Sequence, residues 1–469
     1  MPASRMTVSR FGEEHFGGAQ LGDVRRRNRL VALATQMAKH PGGTLPTKLK
    51  NPADLKALYR LMDNDAVTHE EVLRPHVGRT LGRMRAHEGK VLILHDTTEL
   101  DYSGLISLRD ELGQIGNGGG RGYKCHNSLA VIAESREVLG LAHQILFSRP
   151  RVPKGEKKSA RRQRTTRESR LWKQGSQAIP AAPEGRLWVD VADRGADTTE
   201  FMDFEEAHGK KYLVRSQHNR WVLRGHDGET ERVKLHDLLR SLPEAGRRTV
   251  DVPARAGQPA RTATVGVAWM PVRVLPPRQP RGNERGKPLA VWAVRVWELD
   301  PPDKVSEPLE WILLTNVPVS TFEEACERLD WYALRWIVEE YHKAMKTGCR
   351  IEDMEFRDQE RLKPAIALVS VLAIFLLTLR DASRCSDADQ RSARDLVPDE
   401  YVTVLSAWRF QTPDRDLTVR QFYFALARLG GHQNRRCDHP PGWLVLWRGW
   451  TQLHAMVEGA IATGGIRCG

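Results

Sequence analysis

VLILHD, Val91 to Asp96, is a short continuous apolar run that closes on an acid. A run of this length without helical spacing reads as a buried strand. LWVDVAD, Leu187 to Asp193, repeats the pattern and also closes on an aspartate. Strand ends in an α/β sheet are where side chains from distant parts of a chain converge, so Asp96 and Asp193 are expected to meet. The plain alternative is that each aspartate only starts a turn or caps the next element.

Working outward, Ser128 to Ala133 and Val138 to Phe147 have strand character, and their closeness in sequence predicts an antiparallel pair. Tyr212 to Val214 is a further short strand and runs into Arg215, which gives a sheet of about five strands. Residues 219 to 310 alternate Val/Trp/Arg-rich strands such as Ala290 to Leu299 with Pro/Gly/Arg loops such as PPRQPRGNERGKP. That segment reads as a β-rich insertion. Trp311 to Thr315 restores a core-type strand.

The flanks are helical. Arg25, Arg26, Arg27 and Arg29 precede Leu30, Leu33, Ala34 and Met37, which share one face. A second helix is expected from Asn51 as cap with Pro52 in its first turn, burying Leu55, Leu58, Tyr59 and Met62. Thr68 and Glu71 have capping-box spacing at the start of a third. The arginines suit DNA contact, although solvated arginines on an ordinary bundle have the same pattern. Ala365 to Leu379 is apolar but short for a bilayer span and reads as a buried helix, and the first residues lack the apolar core of a signal peptide.

A formal charge of +13 and a pI near 9.6 suit a polyanionic partner such as nucleic acid, or an anionic surface. Six scattered cysteines without a C-x-x-C pair indicate neither a disulfide framework nor a zinc knuckle, and a reducing cytoplasm is the simplest home. Cys437, His439 and His432 lack a second Cys/His cluster. The stretch Arg149 to Lys173 carries eleven Lys/Arg and two Glu, as a loop ordered on DNA or a solvated charge run would.

DWYALRWIVEEYHKAMKTG, Asp330 to Gly348, adds chemistry to the two aspartates. Tyr332, Arg335, Glu339 and Lys346 fall on one face of the long helix expected from Thr321 to Gly348, flanked by Trp336, Ile337, Val338 and Met345. A solvated charged face is the usual origin of such a stripe. Substantial burial would instead require partners, which phosphate and metal supply.

This spacing resembles the Y-R-E-K signature of the DDE transposases of bacterial insertion sequences, of the transposon-five type. LGDVRRRNRLVALATQMAKHPG, HDTTELDYSG, VDVADRGAD, FLLTLRD and GWLVLWRGWTQL also look like segments of that family, in order along nearly the whole chain. Gly195 departs from it, standing where close relatives often have glutamate; little effect is expected. The resemblance implies an α/β, ribonuclease H-like catalytic core with a β-rich insertion, flanked by N-terminal and C-terminal helical domains. The corresponding segments are 1–70 for transposon-end binding, 71–385 for catalysis and 386–469 for dimerisation.

It further implies Asp96, Asp193 and Glu339 as a triad for two Mg2+ ions, with Mn2+ able to substitute, as suits hard carboxylate oxygens. Tyr332, Arg335 and Lys346 would hold phosphates of the non-transferred strand, Trp311 would stack on a flipped base, and Arg215 would contact end DNA. Cut-and-paste transposition follows, by nicking, hairpin formation, hairpin opening and strand transfer to target DNA, performed by a homodimer on terminal inverted repeats. Trp443, Trp447, Trp450, Leu453 and Val457 lie at helical spacing where the family pairs its subunits; packing within one chain is the alternative. A catalytically silent, domesticated relative and a structure-specific nuclease of the same fold are the rival readings.

Overall fold

The computed structural model describes residues 10–150, 167–225, 231–252, 261–276, 287–302, 305, 308–435, 438 and 440–464. Cys437, His439, residues 151–166 of the basic stretch and residues 277–286 of the Pro/Gly/Arg stretch lie outside them. Two compact units emerge. One comprises Met1–Ala86, Thr97–Glu156 and Ile337–Gly469, and the other His87–Asp96 and Lys157–Trp336.

Twelve strands are present among the described residues: β1 Lys90–Asp101, β2 Gly113–Gln114, β3 Arg121–Ile132, β4 Val138–Phe147, β5 Leu187–Ala192, β6 Lys211–Arg215, β7 Trp221–Arg224, β8 Arg232–Lys234, β9 Gly246–Val252, β10 Arg261–Val274, β11 Leu289–Glu298 and β12 Glu310–Thr315. In the second unit β1, β5 and β6 are parallel neighbours, and the order continues antiparallel through β12, β11, β10, β7 and β8, with β9 also on β10. The β-rich segment therefore extends one large mixed sheet. Its strands are long where both faces are covered: Val265, Val267, Val272, Val291, Val294 and Val296 are fully buried. Helix Phe322–Leu334 lies against β5 and β10, opened by a reciprocal capping box between Thr321 and Glu324.

The first unit carries β2, β3, β4 and the part of β1 beyond Asp96. β3 and β4 are antiparallel, as their sequence separation required. Its helical part begins with Phe11–Phe16, Val24–Lys39, Leu45–Lys48, Pro52–Met62 and His69–Ala86. Asp23 and Asn51 cap the second and fourth of these by accepting from Arg25 N and Ala53 N, and Thr68 accepts from Glu71 N at the start of the fifth. Leu30, Leu33, Ala34 and Met37 are buried as expected, whereas Tyr59 is exposed and Leu61 is buried in its place.

Helix Gln359–Ala382 alone, among the described residues, is long and apolar enough to cross a membrane, but 88% of its apolar window is buried inside the protein. It is the core helix of the first unit, packed on helix His69–Ala86 and β4. Helices Asp399–Phe410, Val419–Leu429 and Trp443–Ala462 complete that unit. Here one expectation is corrected. Trp443, Trp447, Trp450, Leu453 and Val457 are all at most 5% exposed, so they fill this chain's own core and offer no apolar surface to a second subunit. Gly348 makes part of this packing, since a Cβ there would fall 1.9 Å from the Trp447 indole nitrogen.

Candidate active site

Strand register places the two aspartates. β1 and β5 pair in parallel up to His95 opposite Ala192, so Asp96 and Asp193 are the next residues along neighbouring strands. Neighbouring strands lie about 4.8 Å apart, and alternation sends both side chains to the same face. β1 does not end at Asp96, contrary to expectation, but runs on to Asp101; Asp193 does follow the last residue of β5. Asp193 caps a single 3-10 turn by accepting from Gly195 N at 2.9 Å.

The two carboxylates affect each other. Burial raises the Asp193 carboxyl above its ordinary range, and the negative charge of Asp96 raises it further, against the opposing Gly195 N–H and Arg335. Arg335 Nη1 donates to Asp96 Oδ2 at 2.9 Å, with each side chain 15% exposed. A mostly enclosed pair of like charges with one guanidinium beside it is the environment a divalent cation would relieve.

Further expected residues gather around this pair. The Tyr332 ring meets Trp311 edge to face, with centroids 4.9 Å apart at 73°, and the Arg335 guanidinium lies 5.9 Å from the Tyr332 centroid. Burial raises the Tyr332 phenol, partly offset by Arg335 and Arg215, so it is a neutral donor. Arg215, at the end of β6, donates to the Glu310 carbonyl at 3.0 Å. The second unit thus brings together Asp96, Asp193, Arg215, Trp311, Tyr332 and Arg335.

Glu339 and Lys346 belong to the first unit, and the expected continuous helix is segmented. Helix Phe322–Leu334 is followed by a turn at Arg335, helix Trp336–Lys343 and a π-helical turn, Ala344–Gly348. The single continuous helix expected from Thr321 to Gly348 is therefore divided into segments, a correction to the periodic reading. Glu339 sits half-buried in the first turn of helix Trp336–Lys343. Lys346, in the π turn, donates to the Glu99 carbonyl at 2.9 Å and pairs with Glu352 at 3.0 Å. Widened turns of this kind are frequent at functional sites. Arg25 and Arg29 are exposed and Arg26 and Arg27 half-buried on helix Val24–Lys39; Arg25 also pairs with Asp23, and Arg26 with the Leu21 carbonyl.

Two supporting groups escaped the sequence reading. On the sheet face opposite the aspartates, His95 Nε2 and Asp190 Oδ1 are 2.6 Å apart and fully buried. Lys210 lies 3.7 Å from Asp190 and donates to Ser176 and Ile179 carbonyls. Burial would raise Asp190, but Lys210 and His95 outweigh it and hold it below its ordinary value, while burial and Asp190 push neighbouring Glu205 up to about 9. His95 and Asp190 are polar interruptions of apolar runs, a visible signal whose meaning needed the register. The second group is Trp172, whose ring lies where a Cβ on Gly195 would fall, 2.2 Å from its nearest carbon. A side chain at position 195 would therefore require Trp172 to move, so glycine is the residue that this packing admits. The end of the basic stretch is also fixed: Arg167, Arg170 and Lys173 all pair with Glu200, at 2.9, 3.1 and 3.6 Å.

Asp96 and Asp193 on neighbouring strands, with Arg335, Tyr332 and Trp311 beside them, bring acidic, cationic and aromatic groups together. Two family models match the chain: residues 9–67 match "Transposase DNA-binding" and residues 168–376 match "Transposase DDE domain". Together these support a DDE-type DNA transposase, a metal-dependent DNA-cleaving enzyme whose DDE domain implies a ribonuclease H-like fold. Such domains generally use divalent metal ions. The first match contains the four N-terminal arginines; the second contains Asp193 and Glu339 but begins beyond Asp96.

Proposed function

We propose that this chain is a cut-and-paste transposase of the Y-R-E-K type, with Asp96, Asp193 and Glu339 as its catalytic carboxylates. The observation that carries the reading is the parallel register that sets Asp96 beside Asp193, with Arg335 on Asp96. Glu339, four residues beyond Arg335 in the chain, supplies the third carboxylate. The all-oxygen donor set and the raised Asp193 carboxyl fit two Mg2+ ions, with Mn2+ as a substitute. Held by these carboxylates, divalent ions would supply activation of the attacking oxygen and stabilisation of the leaving one.

The protein's own groups position DNA. Arg335 and Lys346 supply cationic donors to phosphates of the non-transferred strand, and Tyr332 supplies a neutral hydroxyl donor. Trp311, half-buried against Tyr332, offers an aromatic surface to an extruded base during hairpin formation. Arg215 contacts end DNA near the same carboxylates. Arg25, Arg26, Arg27 and Arg29 bind the terminal inverted repeat through the 1–70 segment, residues 71–385 perform ribonuclease H-like catalysis, and residues 386–469 belong to a subunit that works as a homodimer on two ends. The setting is the bacterial cytoplasm, on the nucleoid.

The reaction runs from nicking by water, through attack of the freed 3′-hydroxyl on the opposite strand and opening of the resulting hairpin, to attack on target DNA. The test uses a duplex carrying the element's end with Mg2+, sampled in time on denaturing gels. Nick, hairpin and opened end should appear in that order. Double-strand cleavage with no hairpin at any time would replace this sequence with another.

A further inference from the structure

A second cluster of ligating side chains lies in the first unit. His40 follows helix Val24–Lys39, and His454 and Glu458 stand one turn apart on helix Trp443–Ala462. Their ligand atoms all lie within 4.8 Å of one another. His454 Nε2 is 3.0 Å from a Glu458 oxygen, and the two imidazole rings meet edge to face at 5.2 Å.

Two independent features single this cluster out. His40 is 8% exposed, and its buried Nδ1 has no hydrogen-bond partner among the described residues, a costly arrangement for a polar atom unless something binds there. On the other side, the Tyr401 hydroxyl hydrogen-bonds His454 Nδ1. With the proton on Nδ1 and donated to Tyr401, Nε2 presents its lone pair to the cluster, as partners of metal-bound histidines arrange. Burial lowers both imidazoles, His40 to about 4, which keeps them neutral.

We propose that His40, His454 and Glu458 form a binding site for a Zn2+-class ion that clips the end of helix Val24–Lys39 to the last helix. Two imidazoles and one carboxylate suit zinc, with a fourth position left for water, and they suit Mg2+ poorly. Glu458 is half exposed, which leaves an entry path. The charges facing the site include opponents: Lys39 lies 3.7 Å from Glu458, and Lys50 acts on both histidines. Metal binding must therefore displace Lys39 from Glu458. Helix Val24–Lys39 lies inside the segment matching the transposase DNA-binding model, so occupancy would fix that segment's helix on the C-terminal helix.

The experiment is a titration of chelator-treated full-length protein with Co2+, reading the visible d–d bands of a four-coordinate site, with Zn2+ as competitor. One Co2+ site per chain is expected, displaced by Zn2+, retained in Asp193→Ala, and lost in His40→Ala and His454→Ala. Glu458→Gln, at an exposed position that spares folding, should weaken binding by about tenfold or more. Lys39→Met should tighten binding, a gain that purely structural packing of these histidines does not produce. Absence of the bands, or bands that survive both histidine substitutions, would overturn the proposal.

Discussion

Arg335 donates to Asp96 across 2.9 Å, so its guanidinium is tied to the first of the two neighbouring aspartates. It neutralises one of two like charges that adjacent strands force together. Divalent metal would take over that neutralisation and free Arg335 for phosphate.

The first prediction concerns stability without metal. Asp193 is raised by burial and by Asp96, so the folded state holds its proton more tightly than the unfolded chain. Stability from this group is complete at low pH and is lost as pH rises from the ordinary carboxyl range through the raised value. Asp193→Asn should therefore raise the Tm of the metal-free protein at neutral pH, with the gain vanishing in acid, while abolishing cleavage. Thermal melts across pH, paired with a cleavage assay, check both parts; a neutral-pH Tm below wild type would contradict it.

Glu205 gives a second pH effect. Its carboxyl is pushed up to about 9 by burial and by Asp190, so wild-type stability should decline with pH across the window ending near 9. Glu205→Gln should flatten that decline while leaving end binding unchanged. Parallel pH melts of the two proteins give the comparison, and identical slopes would show that Glu205 ionises normally.

Gly195 and Trp172 should behave as a matched pair. Gly195→Ala puts a methyl into the indole, and overpacking of this kind costs about 1–3 kcal/mol. It should also slow cleavage, because Gly195 N is the donor that holds Asp193. Trp172→Leu should recover part of the loss in the double variant. Strict additivity in a double-mutant cycle would mean the two residues do not interact.

The N-terminal arginines are tested by salt. If Arg25, Arg26, Arg27 and Arg29 contact phosphates, each alanine substitution should lower the slope of log K against log salt by about one unit. Arg25 should give the smallest change, since Asp23 already pairs with it. Slopes unchanged in all four variants would move end binding elsewhere.

Much of this was legible in the chain. The runs Val91–Asp96 and Leu187–Asp193 carried the parallel strands, because continuous apolar segments can be buried on both faces, and β4 and β5 fall at the bounds read from sequence. What periodicity missed has physical causes. It read Thr321–Gly348 as one helix because a turn at Arg335 and a π turn at Ala344–Gly348 leave no mark on the spacing of apolar residues. It left the tryptophans of the last helix open between partner and core, since both environments select the same stripe. The His95–Asp190 pair depended on strand register, which no single strand contains.

The most direct test of the central claim is cleavage of an end-bearing duplex in Mg2+ by wild type and by Asp96→Ala, Asp193→Ala and Glu339→Ala, with end binding measured on the same samples. The account predicts near-normal binding by all four proteins and cleavage reduced by on the order of 10^3-fold or more in each variant, a loss of about 4 kcal/mol in transition-state stabilisation. Substantial Mg2+-dependent cleavage by any one of the three would remove that carboxylate from the site and contradict the account.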